Sequence, residues 1–246
     1  MKTALVWQVA TATAIRPETP RVKTFTFALP EWMPHRAGQH YDLRLTAEDG
    51  YQAQRSYSVA SPPERRGEVD LTVERVEDGE VSTHLHEVLV AGDRLEMRGP
   101  IGGHFVWDAV RSEPLLLVAG GSGIVPLMSM LRHRLAAEAN NPACLIYSSR
   151  THADIIYERE LEQLRRATAG PRIVHTLTRS QPSGWKGYSR RVDAEMLAEA
   201  VRPLGAMVQA YVCGPTLFAE SVANALVSLG LSEGQIGTER FGPTGG

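Results

Sequence analysis

The spacing of apolar residues changes part-way along this chain, and that change constrains the fold more than any other feature. From residue 5 to about 107 the apolar residues recur mostly at every second position. The sets are Phe25, Phe27 and Leu29; Tyr41, Leu43 and Leu45; Val69, Leu71 and Val73; and Leu95 and Met97. Alternation of this kind is typical of half-buried strands, and the turn-rich segments RPETP, AEDG, PPERRGE and AGD favour a compact antiparallel sheet or barrel. The one helix predicted in this half spans residues 81–89.

Beyond about residue 113 the pattern becomes a continuous apolar strand followed by a helix. PLLLVAGG (114–121) ends in glycines, and a helical stretch follows it from Val125 to Ala137. The unit recurs in ACLIYSS with a helix near 155–167, in RIVHTLT with a helix near 193–200, and in AMVQAYVCG with a helix at 216–229. Buried strands that alternate with amphipathic helices predict a parallel, doubly wound sheet. We therefore expect an antiparallel β-barrel over residues 1–110 and an α/β domain over residues 111–246.

Composition narrows the class of partner. The 246 residues include 26 basic and 28 acidic side chains without a long run of either sign, so neither nucleic acid nor an anionic membrane surface is expected as a partner. Cys144 and Cys213 form neither a disulfide framework nor a metal-ligand set, so no metal is expected. The signal-like start MKTALVWQVATATA is broken by Gln8, Thr11 and Thr13, and no stretch nears the ~20 apolar residues of a membrane span. We expect a cytoplasmic protein.

The segment AGGSGIVP carries a glycine turn between a strand and a helix. The turn contains Gly120, Gly121, Ser122 and Gly123, and Pro126 lies in the first helical turn, where the amides have no partner inside the helix. Glycines let the phosphates of a ligand approach the backbone, and a helix N-terminus favours their negative charge. Such turns also close α/β units that bind no ligand, so the motif alone leaves both interpretations open.

Two further strand ends carry polar or reactive residues. Cys213, in YVCGP, follows a later strand and should face the same crevice, because ligands bind at the carboxyl ends of parallel strands. The alternative is a small buried thiol without a chemical role. Ser149 and Arg150 follow another strand, where an adenosine ribose would lie if the glycine turn binds a pyrophosphate. A hydroxyl and a cation there suit a 2′-phosphate, and a solvated surface arginine is the alternative.

Seven motifs occur in one order along the chain: RSYS, GEVSTHL, GPIGGHF, AGGSGIVP, YSSRT, YVCGP and TERFG. In order and spacing they resemble the ferredoxin–NADP reductase superfamily, with the closest similarity to the FAD/NAD(P)H reductase modules of bacterial oxygenase systems. The resemblance covers nearly the whole chain and implies an FAD-binding antiparallel barrel followed by a nucleotide-binding α/β domain. The sequence has no C-x4-C-x2-C motif, so a fused ferredoxin domain of the kind that many oxygenase reductases carry is not expected.

The resemblance also assigns residues to the flavin. It implies that Arg55 binds the FAD pyrophosphate, Tyr57 stacks on the isoalloxazine and Ser58 hydrogen-bonds near flavin N5. The amides around Val81 and Ser82 resemble a second pyrophosphate clamp. The remaining residues expected at the flavin are Ser56, Val73, Glu74, Gly79 and Phe241. Plant-type members end at a tyrosine, whereas this chain has a phenylalanine and continues through GPTGG.

On the nucleotide side, the resemblance implies that Gly121 and Ser122 meet the pyrophosphate and that Cys213 lies beside the nicotinamide C4. The full set expected there is Gly121, Ser122, Ser149, Arg150, Tyr157, Cys213, Gly214 and Pro215. Within it, the residues at 149, 150 and 157 resemble the plant-type set around the 2′-phosphate and adenine, which favours NADPH over NADH. Ser58, Cys213 and Glu239 form the expected catalytic group.

The function implied by the resemblance is that of a free-standing, monomeric FAD reductase. It would take hydride from NADPH, or NADH, and pass electrons singly to a separate redox protein such as a ferredoxin or an oxygenase component. One alternative is a reductase of free flavins or small quinones. Another is a non-catalytic flavin-binding subunit of a larger complex, whose usual sign would be a lost site motif or an added cysteine cluster. The sequence shows neither sign.

Overall fold

The structure, a computed structural model, describes residues 5–241. The GPTGG tail and the first four residues of the signal-like start lie outside the described residues. Six antiparallel strands come first: β1 (Gln8–Thr19), β2 (Val22–Ala28), β3 (His40–Thr46), β4 (Gln52–Ser58), β5 (Glu68–Glu74) and β6 (Arg94–Ile101). They are arranged in the order β4-β3-β6-β1-β2-β5.

The sheet closes on itself, since Val59, one residue beyond β4, forms an antiparallel bridge with Leu71 of β5. The alternating residues identified in the sequence fill the interior: Phe25, Phe27, Tyr41, Leu43 and Leu71 are fully buried in one cluster. Helix α1 (Glu80–Glu87) lies within one or two residues of the helix predicted at 81–89. The barrel predicted from the alternation of apolar residues is therefore present, and the alternation arises because each strand packs one face against the core.

Five parallel strands form the second sheet, in the order β11-β10-β7-β8-β9. They are β7 (Leu115–Gly120), β8 (Ala143–Ser149), β9 (Arg172–Leu177), β10 (Gln209–Pro215) and β11 (Ile236–Phe241). The helices are α2 (Ile124–Ala136), α3 (Glu158–Arg166), α4 (Ala194–Val201) and α5 (Thr216–Ser228). The sequence pattern had not predicted β11. None of the helices within residues 5–241 combines the length and the apolar character needed to cross a membrane.

Strand β7 shows why its sequence is apolar at every position. Leu115, Leu117 and Ala119 pack in the cluster that contains residues of α2 and α3, whereas Leu116 and Val118 pack in the cluster that contains residues of α4 and α5. The chain runs outward from β7 through β8 to β9, and then returns to the other side of β7 for β10 and β11. The topological switch point lies between β7 and β10, and ligands of open α/β sheets bind at such a point, beyond the carboxyl ends of the strands.

The segment that follows β4 joins the two domains. Ser129 Oγ of α2 donates to the Ser61 carbonyl at 2.7 Å, and His133 Nδ1, also on α2, lies 2.6 Å from a carboxylate oxygen of Glu64. The strand that carries the RSYS motif is thereby tied to the first helix of the α/β domain.

Candidate functional site

The RSYS motif forms the end of β4, where successive side chains point to opposite faces of the sheet. Ser56 Oγ donates to Asp42 Oδ1 of β3 at 2.6 Å, and Asp42 Oδ2 accepts from Arg98 Nη2 at 2.7 Å. Although burial opposes the effect, these hydrogen bonds lower the pKa of Asp42. The hydroxyl of Ser56 is therefore occupied in holding β4 against β3. No motif in the sequence indicates this role of Asp42, which depends on strand pairing.

Arg55, Tyr57 and Ser58 offer three different chemical groups at the same strand end. Arg55 is exposed, its Nη1 donates to the Gln54 carbonyl at 2.7 Å, and no carboxylate among residues 5–241 lies within ion-pair distance of it. Tyr57 packs against the barrel core, and burial raises the pKa of its hydroxyl, which therefore stays protonated. Ser58 is partly exposed and lies opposite His40 of β3. A cation, a ring and a hydroxyl in this order fit a dinucleotide with a flat ring system.

The N-terminus of α1 offers backbone amides to an anion. Gly79 is the N-cap, and the amide of Thr83 makes the first bond of the helix, to the Gly79 carbonyl at 2.9 Å. The amides of the three residues before it, including Val81 and Ser82, have no partner inside the helix. Ser82 Oγ accepts from the amide of Val76 at 3.1 Å and donates to the Gly79 carbonyl at 3.1 Å. This side chain shapes the turn and leaves the amides to a ligand.

The two residues of β5 that are expected to contact the flavin differ in solvent exposure. Val73 is 1% exposed and lies in the barrel core, whereas Glu74 at the end of the strand is partly exposed. A contact between Val73 and a cofactor would therefore involve little of its side chain.

The glycines in the turn between β7 and α2 differ in the space around them. Gly121 has φ +56°, and a Cβ added there would meet nothing within 4 Å. A Cβ on Gly123 would lie 2.1 Å from the Cys213 carbonyl oxygen of β10. Gly123 is therefore needed for the close approach of β10. Gly121, with the partly exposed Ser122 beside it, leaves open space in which a phosphate could contact the backbone.

Cys213 of β10 and Glu239 of β11 lie side by side in the parallel register, on the β10 side of the switch point. Cys213 is 1% exposed, and burial, followed by the charge of Glu239, raises the pKa of its thiol. Glu239 Oε2 is buried without a hydrogen-bond partner among the described residues, and burial raises the pKa of this carboxyl to about 7. A buried polar atom without a partner is costly, and a carboxyl with a raised pKa in a crevice is characteristic of a functional site.

The neighbours of this pair differ in exposure and packing. Gly214 is buried, and a Cβ there would lie 2.6 Å from the ring of Phe218. Pro215 is exposed and lies opposite Phe241 in the register of β10 and β11. Phe241 is partly buried and packs against the core cluster shared with α2 and α3.

Ser149 and Arg150 lie at the carboxyl end of β8, whereas Tyr157 lies in the interface between the domains. Ser149 is 5% exposed at the end of β8, and the next residue, Arg150, is exposed. Tyr157 is 4% exposed: Arg132 of α2 lies 4.8 Å from its ring centre, and its hydroxyl donates to Thr72 of barrel strand β5. This ring lies in the interface between the domains and has no face free for a nucleotide.

Comparison with known proteins identifies the family. Residues 10–107 match the family model described as an oxidoreductase FAD-binding domain, and residues 117–224 match the oxidoreductase NAD-binding domain. The ferredoxin–NADP reductase B of Sorangium cellulosum is 35% identical over 234 residues, which are 92% of this chain and 91% of that protein. The chain belongs to the FAD- and NAD-binding oxidoreductases of the ferredoxin–NADP reductase type.

Other members of this oxidoreductase family are longer. The glycine betaine monooxygenase reductase subunit of Chromohalobacter salexigens is 35% identical over 231 residues, which are 92% of this chain and 62% of that protein. The chain thus spans less than two thirds of that relative. A ferredoxin NADP+ reductase from Neisseria gonorrhoeae, solved with bound FAD and NADP, superimposes with a TM-score of 0.80 at 22% identity over 95% of this chain and 98% of that one, which shows the shared fold. The predicted family, fold class and cofactors, FAD and a nicotinamide nucleotide, are confirmed.

Proposed function

We propose that this oxidoreductase binds FAD at the barrel and NADPH at the α/β domain, and passes electrons from the nucleotide to a separate redox protein. The observation that carries the proposal is the pair of Cys213 and Glu239 beside the switch point, a buried thiol next to a carboxyl whose Oε2 is buried without a partner among the described residues. When bound, FAD supplies the chemistry that accepts a hydride and releases single electrons. The protein binds and orients the two cofactors, and its Glu239 carboxyl holds a proton that it can exchange.

The barrel residues fit the two ends of the flavin cofactor. Arg55 has no carboxylate partner among the described residues, so its guanidinium is available for a bidentate contact with a pyrophosphate. The amides at the start of α1 supply a second anion contact. Tyr57 is held against the barrel core and offers its ring for stacking, and the hydroxyl of Ser58 follows one residue later.

Cys213 and Glu239 serve the nicotinamide side. The raised pKa keeps the thiol of Cys213 protonated and uncharged at neutral pH, so it can pack against a neutral ring without repelling it. With a pKa of about 7, Glu239 holds a proton on its carboxyl in roughly half of the molecules at neutral pH. A carboxyl with this pKa can give or take a proton at neutral pH.

Arg150 is proposed to select NADPH. The side chain is exposed at the end of β8, next to the hydroxyl residue Ser149, which suits a 2′-phosphate. Replacing it in R150Q should raise the KM for NADPH ~10-fold to ~100-fold, because a charge-assisted hydrogen bond contributes ~1.5 to 3 kcal/mol, and should leave the KM for NADH unchanged. R159Q is the matched control, since Arg159 is an exposed arginine of α3. Equal KM changes for both nucleotides in R150Q would contradict the assignment.

Two measurements test the function as a whole. Anaerobic titration of the FAD-loaded protein with NADPH, and separately with NADH, should bleach the visible flavin bands. The reduced protein should then pass electrons to a [2Fe–2S] ferredoxin faster than to free FMN at equal concentration. The names of the relatives that are reductase subunits of oxygenases support a protein acceptor. Preferential reoxidation by FMN would favour a reductase of free flavins, and a flavin that neither nucleotide bleaches would contradict the proposal.

A further inference from the structure

A continuous chain of hydroxyl groups crosses the interface between the two domains. The hydroxyl of Tyr157 donates to Thr72 Oγ1, which lies 2.7 Å from Thr24 Oγ1, and Thr24 Oγ1 donates to Glu18 Oε1 at 2.6 Å. Thr24 and Thr72 are 0% and 4% exposed. Because Thr24 uses its proton on Glu18, it accepts from Thr72, and Thr72 in turn accepts from Tyr157. All the bonds of the chain therefore run in one direction, and such chains strengthen each of their members.

The backbone of Tyr157 requires an explanation from outside its own segment. It has φ +60°, in the left-handed region, and is the N-cap of α3 without making a side-chain cap. Small polar residues or glycine are preferred at that position, and a bulky residue in this region is strained unless its surroundings hold it. Arg132 helps to hold Tyr157 in this conformation. It stacks on the ring, pairs with Glu160 at 2.6 Å and donates to the Ala60 carbonyl of the barrel domain at 2.7 Å. The hydroxyl chain also holds Tyr157 in place.

The segment between Arg150 and the anchored tyrosine is itself braced. The amide of Thr151 donates to Asp154 Oδ2 at 3.0 Å, and the amide of Ile156 donates to the hydroxyl of Tyr147 on β8 at 3.2 Å. On the barrel side, the anchoring threonine lies on β5 immediately before the two residues expected at the flavin. The hydroxyl chain thus joins the strand beside the flavin to the segment beside the nucleotide.

We propose that Tyr157 and Thr72 are positioning residues, whose hydrogen bond sets the placement of the nucleotide-binding segment relative to the flavin side of the barrel. The inference rests on the proposed function, because it concerns hydride transfer between groups held by different domains. Transfer of this kind depends steeply on geometry, and a displacement of ~1 Å can slow a reaction ~100-fold. The contact touches neither cofactor and acts through the segments that do.

Tyr157→Phe tests the proposal, because it removes the hydroxyl and keeps the ring. Flavin reduction at saturating NADPH, followed by anaerobic stopped flow, should slow ~10-fold, a fraction of the loss that a ~1 Å displacement can cause. The FAD dissociation constant should stay within about twofold of the wild-type value, since no flavin contact is removed. In the flavin-free protein, amide hydrogen exchange over residues 150–157 should be faster, because the link to the barrel is lost.

Variants at Thr72 keep the test decisive if the phenylalanine variant folds poorly. Thr72→Val removes the acceptor with little change in volume and should reproduce the slower reduction and the faster exchange. Thr72→Ser retains the hydroxyl and should behave like the wild type. The T72V/Y157F double variant should be no slower than either single variant, because both remove the same link.

Ser129→Ala is the matched control. It removes another buried hydrogen bond between the domains, from α2 to the Ser61 carbonyl, away from the nucleotide segment. It should lower the melting temperature and leave flavin reduction unchanged. Equal slowing in S129A, or a wild-type reduction rate in Y157F whatever its exchange, would overturn the positioning role. A wild-type flavin that neither NADPH nor NADH reduces would overturn the proposed function and the positioning role together.

Discussion

Glu239 should make the stability of the folded chain depend on pH in a way that a single substitution removes. Burial raises the pKa of this carboxyl from its ordinary value of 4.5 to about 7, and Oε2 has no hydrogen-bond partner among the described residues. Below pH 4.5 the carboxyl is protonated in both the folded and the unfolded chain. As the pH rises towards 7, the unfolded chain releases this proton while the folded chain keeps it, so the free energy of unfolding falls.

The size of the effect on the free energy of unfolding follows from the difference between the pKa values of Glu239 in the unfolded and folded chain. At ~1.4 kcal/mol per pH unit, the interval between 4.5 and about 7 corresponds to an upper bound of ~3.4 kcal/mol. About 2.5 kcal/mol of it falls between about pH 5 and about pH 8. Because Glu239 is partly exposed, solvent screening reduces the expected loss to ~1.5 kcal/mol.

Urea unfolding followed by far-UV circular dichroism, at one FAD concentration, measures this loss. The Glu239→Gln variant cannot ionise at this position, so its stability relative to the wild type should rise by ~1.5 kcal/mol between about pH 5 and about pH 8. Glu233→Gln, at an exposed glutamate, is the control and should show no such trend. A difference between E239Q and the wild type that stays constant across this range would refute the argument that the Glu239 carboxyl is desolvated without a compensating partner.

Four further substitutions test other parts of the site. Ser58→Ala should slow flavin reduction ~10-fold in stopped flow while FAD stays bound, as expected for loss of one positioned hydrogen bond, and normal rates would remove Ser58 from the catalytic group. Arg55→Met should weaken FAD binding ~10-fold to ~100-fold in a fluorescence titration, because a charge-assisted contact is lost, and unchanged affinity would place the pyrophosphate elsewhere. Gly123→Ala should destabilise the chain by ~3 kcal/mol or more in urea, since its Cβ would lie 2.1 Å from the Cys213 carbonyl oxygen. Gly121→Ala, with an open Cβ position and φ +56°, should cost only ~1 to 2 kcal/mol, and equal losses in the two glycine variants would show that contact is not the cause.

The sequence motifs assigned the candidate site through their resemblance to the reductase family. A pyrophosphate requires a cation or exposed amides, and the resemblance assigned Arg55 and the start of α1 to that contact; both assignments stay predictions. The placement of Tyr157 could not be predicted. The motif around it predicted a nucleotide contact, whereas the hydroxyl bonds to a threonine 85 positions away in sequence. Ser56 likewise bonds to Asp42, a partner that only the pairing of β3 with β4 supplies.

The sequence by itself determined the two architectures and the position of the glycine turn. The periods of strands and helices are properties of the local backbone. The spacing of apolar residues therefore indicates the type of element wherever one face of that element packs against a core. The tertiary structure alone decided that Glu239 Oε2 is buried without a partner among the described residues, that Glu239 lies beside Cys213, and that a hydroxyl chain runs from Tyr157 to Glu18. These features depend on desolvation and on hydrogen bonds between residues distant in sequence, and folding determines which of those residues meet.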